Sequence, residues 1–257
     1  MAATVGAIYR AIDGFAPFSS QMDFDNAGLL AGDEGEEVRA VILSLDITPD
    51  VVREAVRRHA QLIVSHHPVI FHPLRCLRPG SAPYLLAQNG VAAICAHTNL
   101  DMAPGGVNDC LAAALGLLEP APLVTDKRSG EPAALRCRTE REFQPRAFAE
   151  AVKSKLGCDG LFFADGGRKI TRVGLCSGGG AEYLYDAAAA GCQAFVTGEA
   201  KHNQLIDAEN LGVTLVVAGH YDTENVVIPP LRERLSKQFP DVAFLKTEAF
   251  RRPANYL

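Results

Sequence analysis

The sequence predicts an α/β protein with mainly parallel sheets flanked by helices, and three observations carry that expectation. Short apolar runs alternate with amphipathic stretches over most of the chain, the pattern of a parallel sheet covered on both faces. Prolines, glycines and capping residues punctuate the alternation where one element should give way to the next. Histidines and carboxylates follow several of the runs, at the strand ends where such proteins present reactive groups.

Taken in order, residues 4–14 read as a helix with Val5, Ile8, Tyr9 and Ile12 on one face and Thr4 as its cap. Asp25 to Leu29 reads as a turn-rich loop. The run 40–45 is a strand with Asp46 at its end, and helix 50–60 follows, opened by Pro49. Asp46 suits either a cap for that helix or an approach to a site. Strand 62–65, helix 82–88, strand 91–95 and helix 109–115, capped by Asn108, continue the alternation. Pro120, Pro122, Gly130 and Pro132 make 119–135 a linker or lobe boundary. Beyond it come strand 136–140, helix 145–156, strand 170–176, helix 181–190 and strand 192–196. Helix 200–210, strand 213–217, helix 225–238 and strand 242–246 finish the chain.

Composition narrows the function classes. Of 257 residues, 48% are hydrophobic and 21% charged, ordinary for a globular protein with a sizeable core. A net charge of -5 argues against nucleic acid as a main partner, and the short Arg clusters (Arg136, Arg138 and Arg141 among them) read as solvated faces. Seven cysteines without a C-x-x-C spacing fit a reducing compartment rather than a disulfide framework or zinc knot. The N-terminus lacks signal-peptide character, and no apolar stretch approaches the ~18 residues of a membrane span. The expected location is the cytoplasm.

The chemistry centres on Ser65-His66-His67-Pro68. An extended backbone sends successive side chains to opposite sides, and Pro68 keeps His67 out of helical angles. Two diverging imidazoles suit two neighbouring metal ions; paired surface histidines are the plainer alternative. Further along, His97 with Asp101 and His220 with Glu224 share a spacing of four, which on a helical turn puts both side chains on one face. Histidine with carboxylate is the ligand set of Zn, Mn, Fe or Ni sites, and bridging carboxylates can hold two ions. Glu199 and His202 could orient such ligands or serve a structural contact. Ser177-Gly178-Gly179-Gly180 could cradle a phosphate or simply turn tightly, while His59 and His72 read as surface or loop residues. No G-x-S-x-G elbow or Cys–His motif points to a Ser or Cys nucleophile.

The segments Ser65–Phe71, Ala96–Asp101, Thr197–His202 and Gly219–Glu224, supported by Asp25–Leu29 and Pro104–Asn108, resemble the signatures of the dinuclear metal-centre family. Its members are also called Ngg-interacting-factor-three-like proteins or GTP cyclohydrolase I type 2 homologues. The likeness runs in unbroken order from about residue 5 to the end. It implies two interlocked α/β lobes, in the short form without an inserted middle domain, and a ring-shaped homohexamer. A metal-site lobe is expected over 1–120 plus 213–257, with a second lobe over 121–212. Two divalent ions per chain would be held by His66, His67, Asp101, His220 and Glu224, with Glu224 the bridge; His97 matches a nearby histidine, an extra ligand or a proton shuttle. The activity implied is a metal-dependent hydrolase of a small, nucleotide-like molecule. A non-enzymatic metal carrier or regulatory ring is the alternative.

Overall fold

The computed structural model describes residues 2–257. In chain order the elements are α1 (Val5–Asp13), β1 (Gly28–Ala31), β2 (Ala40–Ser44), α2 (Pro49–Arg57), β3 (Leu62–Ser65), α3 (Ala82–Asn89), β4 (Ala92–Cys95) and α4 (Thr98–Met102). There follow α5 (Val107–Ala114), β5 (Leu118–Thr125), β6 (Pro132–Phe143), α6 (Pro145–Leu156), β7 (Phe162–Ala164), β8 (Ile170–Leu175) and α7 (Leu184–Ala189). The chain ends with β9 (Ala194–Thr197), α8 (His202–Leu211), β10 (Thr214–Val217), α9 (His220–Glu224), α10 (Ile228–Gln238) and β11 (Ala243–Lys246).

These elements form two compact units, one running to Ala103 and resuming over Ile228–Arg251, the other comprising Pro104–Val227 and Arg252–Leu257. The first contains a five-stranded sheet in the order β1-β4-β3-β2-β11. Its joints are parallel except where β1 runs antiparallel along β4. The uninterrupted apolar runs of β3 and β4 are buried throughout, as strands covered on both faces must be. Ile42, Ile63 and Ala93 pack on one side against Val51, Val52 and Ala55 of α2 and Leu86 of α3. Thr48 caps α2 by accepting from the Val51 N–H, with Pro49 in the first turn. The capping role open to Asp46 is therefore taken by Thr48.

The second unit holds a six-stranded sheet, β5-β6-β8-β9-β10-β7. Only β8–β9 and β9–β10 are parallel; the remaining joints are antiparallel. One face packs Leu135, Val173 and Val196 on Leu111 of α5 and Phe148 and Val152 of α6. The opposite face sets Phe195 and Leu215 against Leu184 and Ala187 of α7 and Ala208 of α8.

Four expectations need correction. The proline-rich stretch read as a linker is β5, which pairs antiparallel with β6. Pro120 and Pro122 survive there because β5 is an edge strand, where a missing N–H costs least. The loop at Gly28 becomes a short strand, and β7 joins the far edge of the second sheet. The division between units falls at 103/104 and 227/228, not at 120/121 and 212/213, since β10 is zipped in parallel to β9 and carries α9 with it. Asn108 lies within the first turn of α5, behind Gly106 at the cap; its amide donates to the Ala133 carbonyl and accepts from the Ser177 N–H.

Candidate metal ligands

In the first unit β3 does not stop hydrogen-bonding at Ser65. The His66 N–H donates to the Ser44 carbonyl at 3.2 Å and the His67 N–H to the Leu45 carbonyl at 2.8 Å, so the backbone stays extended through both histidines. Their ring centroids lie 5.1 Å apart, and each lies within 5.7 Å of the His97 centroid, which the end of β4 supplies. One nitrogen from each of His66, His67 and His97 falls within 4.8 Å of the other two. Asp101, on α4, places Oδ1 3.4 Å from His66 Nε2. The i,i+4 pairing expected of His97 with Asp101 is not the one realised. Asp101 turns to His66, and His97 turns to Asp25.

What orients each ring is an oxygen at Nδ1. His66 Nδ1 lies 2.9 Å from the Ala96 carbonyl, His67 Nδ1 2.9 Å from Asp46 Oδ1 and His97 Nδ1 2.7 Å from Asp25 Oδ1. Carbonyl and carboxylate oxygens accept, so Nδ1 carries the proton and the lone pair of the neutral ring sits on Nε2. Such partners are what fix tautomer and direction in metal-ligating histidines. Asp25 is fully buried at its side chain; its second oxygen takes the Thr98 N–H at 3.0 Å and the Thr98 hydroxyl. Burial pushes the Asp25 carboxyl up, yet the bonds from His97 and Thr98 outweigh it and hold the group at about 2.

In the second unit the donors ride α9, which follows Gly219 (φ 95°) at the end of β10. His220 Nε2 and Glu224 Oε1 stand 3.1 Å apart on adjacent turns, the geometry expected from their spacing. His220 Nδ1 lies 3.0 Å from Glu199 Oε1, so the orienting role open to Glu199 is realised. His202, the first residue of α8, is exposed.

The glycine loop after β8 serves that pair. Gly178 has φ +55°, and a Cβ there would overlap Glu224 Oε1. Its N–H is taken by Thr223 Oγ1 at 3.1 Å, the Ser177 N–H by Asn108, and its carbonyl accepts from Gly198 and Glu199. A tight turn with close approach, rather than a phosphate cradle, accounts for these two residues. Gly198 repeats the device: a Cβ would meet the Gly178 carbonyl at 2.7 Å and His220 Cα at 2.8 Å. Beside His220 a cavity of about 290 Å³ is walled by Phe162, Tyr221 and Tyr256, with Arg252 bound to Asp222 and Asp159 at its margin.

The donor chemistry fits metal in both units. A lone pair on Nε2 facing a carboxylate oxygen at 3.1–3.4 Å needs either a proton or a metal cation between them, and the donor set suits both. That separation is also what two ligands of one ion at ~2.0–2.2 Å produce.

Two α/β units that present Nε2-directed histidines beside carboxylates make a protein whose side chains could hold metal. Residues 3–253 match the model of the Duf34/NIF3 (NGG1p interacting factor 3) family, and the chain belongs to that family. A Clostridium perfringens protein named GTP cyclohydrolase 1 type 2 homolog is 27% identical, covering 97% of this chain and 98% of that one. A protein of the same name from Nostoc sp. is 32% identical over 78% of each chain. The crystal structure of Staphylococcus aureus hypothetical protein SA1388 superposes with a TM-score of 0.94 at 28% identity, covering 100% of both. Among the described residues no helix is long and apolar enough to cross a membrane.

Proposed function

We propose that the chain is a dinuclear metal-binding protein that hydrolyses a small molecule. The ligands are His66, His67, Asp101, His220 and Glu224, as the family resemblance implies. The observation that carries this reading is the set of four histidines with Nδ1 held by an oxygen. Surface histidines have no need of such partners, whereas ligating ones do. Two divalent ions, Zn, Fe, Mn or Ni by ligand type, would supply Lewis acidity and make water a usable nucleophile near neutral pH.

The chain's own residues do the remaining work. Asp46, Asp25 and Glu199 hold the rings of His67, His97 and His220 in one tautomer. His97, with its proton on Nδ1 against Asp25, is placed to accept a proton at Nε2 and pass it on. The aromatic wall of Phe162, Tyr221 and Tyr256 gives a flat heterocycle an apolar surface beside His220. That suits the nucleotide-like substrate implied by the names of the relatives. A non-enzymatic metal carrier is the competing reading, because the same ligands serve storage.

Elemental analysis of the purified protein beside His66→Ala and Glu224→Ala tests the centre. Near two ions per chain are expected, falling in both variants; no uptake of Zn, Mn or Fe by the wild type removes the proposal. A hydrolase screen of the loaded protein then separates enzyme from carrier, since enzyme turnover must vanish with chelator and in Glu224→Ala. The assembly we propose is a cytoplasmic ring-shaped hexamer, and a light-scattering mass near the 27.5 kDa of one chain would refute it.

A further inference from the structure

Arg136 and Arg138 stand two residues apart on β6, and Arg172 is the direct partner of Arg138 across the antiparallel β6–β8 joint. Like charges placed opposite each other on neighbouring strands repel, so this arrangement works against the stability of the sheet. The three guanidinium-bearing residues line a hollow of about 390 Å³ with Glu119, Ala190 and Cys192. Glu119 answers Arg138 alone, at 3.4 Å between two exposed side chains, a contact of little strength. The guanidinium groups of Arg136 and Arg172 make no hydrogen bond or ion pair with any described residue.

Helix capping does not explain them. The end of α7 closes on its own backbone: the Gly191 N–H reaches the Ala188 carbonyl at 3.0 Å and the Cys192 N–H the Ala187 carbonyl at 2.9 Å, with Gly191 at φ +75°. The two unpaired arginines do converge on one place. Burial pushes the Cys192 thiol up, while the charges of Arg136 and Arg172 both pull it down.

We propose that this hollow binds a phosphate-bearing small molecule, with Arg136, Arg138 and Arg172 as its ligands. Guanidinium forks match the oxygens of phosphate two at a time. Three cations less one carboxylate match the charge of about −1.5 to −2 on a phosphate monoester at neutral pH. The proposal is independent of the metal ligands, and a hollow of this size suits a small ligand better than a nucleic-acid backbone.

The test is calorimetric titration of the full chain with inorganic phosphate and with a nucleoside 5′-monophosphate, at constant ionic strength against chloride. Arg136→Gln, Arg172→Gln and, as a control for phosphate held at metal, His66→Ala are compared with the wild type. One binding event per chain is expected, kept in His66→Ala and weakened at least tenfold in each arginine variant. Without ligand, Arg172→Gln should melt no lower than the wild type, because the cross-strand repulsion is relieved. Either probe binding more tightly supports the site, the monophosphate marking an organic body in the hollow and the free ion marking phosphate alone. No binding by the wild type, equal binding by the arginine variants, or loss in His66→Ala overturns it. So would arginine variants that melt lower with a changed assembly mass, which would make these residues a contact between copies.

Discussion

The two units present metal-type ligands by different means. In the first, His66 and His67 simply prolong β3, and precision comes from carboxylates contributed by distant loops, Asp46 and Asp25. In the second, the pair sits on a helix of five residues, and precision comes from absent atoms: Gly178 and Gly198 leave the space that Glu224 and His220 occupy. Both units hold a ring with a carboxylate, Glu199 doing so for His220, but only the second also depends on side-chain atoms that are missing. The first design should therefore suffer chiefly from changes of charge, and the second from changes of volume as well.

The harshest way to break the contrast is Gly178→Val. A branched side chain at φ +55° that overlaps Glu224 should cost about 3 kcal/mol or more and lower metal content, read by urea unfolding and elemental analysis. A neutral outcome would mean that α9 shifts freely and that its seat is not shaped for Glu224. Next comes Asp25→Asn, which keeps a hydrogen-bond acceptor for His97 but removes the charge. If His97 is an extra ligand, metal affinity should fall about 10–100-fold in a chelator competition, with little change in fold. Unchanged affinity would confine His97 to proton transfer.

A smaller effect separates this kind of carboxylate from a purely structural one. Glu54, buried on α2, accepts from Arg58, the Thr247 hydroxyl and the N–H groups of Glu248 and Ala249, tying the residues after β11 to the helix. Burial pushes its carboxyl up, but these donors together hold it below the ordinary glutamate range. A depressed folded-state value stabilises above the unfolded pKa near 4.5 and loses that contribution as pH falls through the folded value. Glu54→Gln should cost about 1–3 kcal/mol at pH 7 and flatten the decline of the urea midpoint below about pH 5. A parallel decline in both proteins would show that Glu54 titrates as an ordinary carboxylate.

The candidate ligand histidines stand out in the sequence because residue type, strand end and spacing all coincide at His66, His67 and His220. Their orienting partners were not legible to the same degree. Asp25 lies 72 positions from His97, and nothing local distinguishes it from a turn aspartate. Glu199 was within reach because it ends a strand next to a glycine, the same local signal that marks His220. Local propensity misled at Pro120 and Pro122, where the position of β5 at the sheet edge overrides the usual meaning of proline. It misled again at 213–217, where strand pairing rather than composition decides the unit to which β10 and α9 belong. The arginines of β6 looked like solvated charge because only the pairing of β6 with β8 sets Arg172 opposite Arg138.

The pairing of β11 with β2 has a consequence for biosynthesis. Ala243 lies beside Ala40 in one sheet, so the first unit cannot close its edge until nearly the whole chain has left the ribosome. At ~5–20 residues per second the early strands wait roughly 10–40 s for that partner. During this interval β2 is an open edge rich in Val, Ile and Leu, the kind of template that recruits stray strands. A nascent chain stalled before Ala243 should therefore be the species that chaperones hold, and pairing of β11 with β2 the event that frees it.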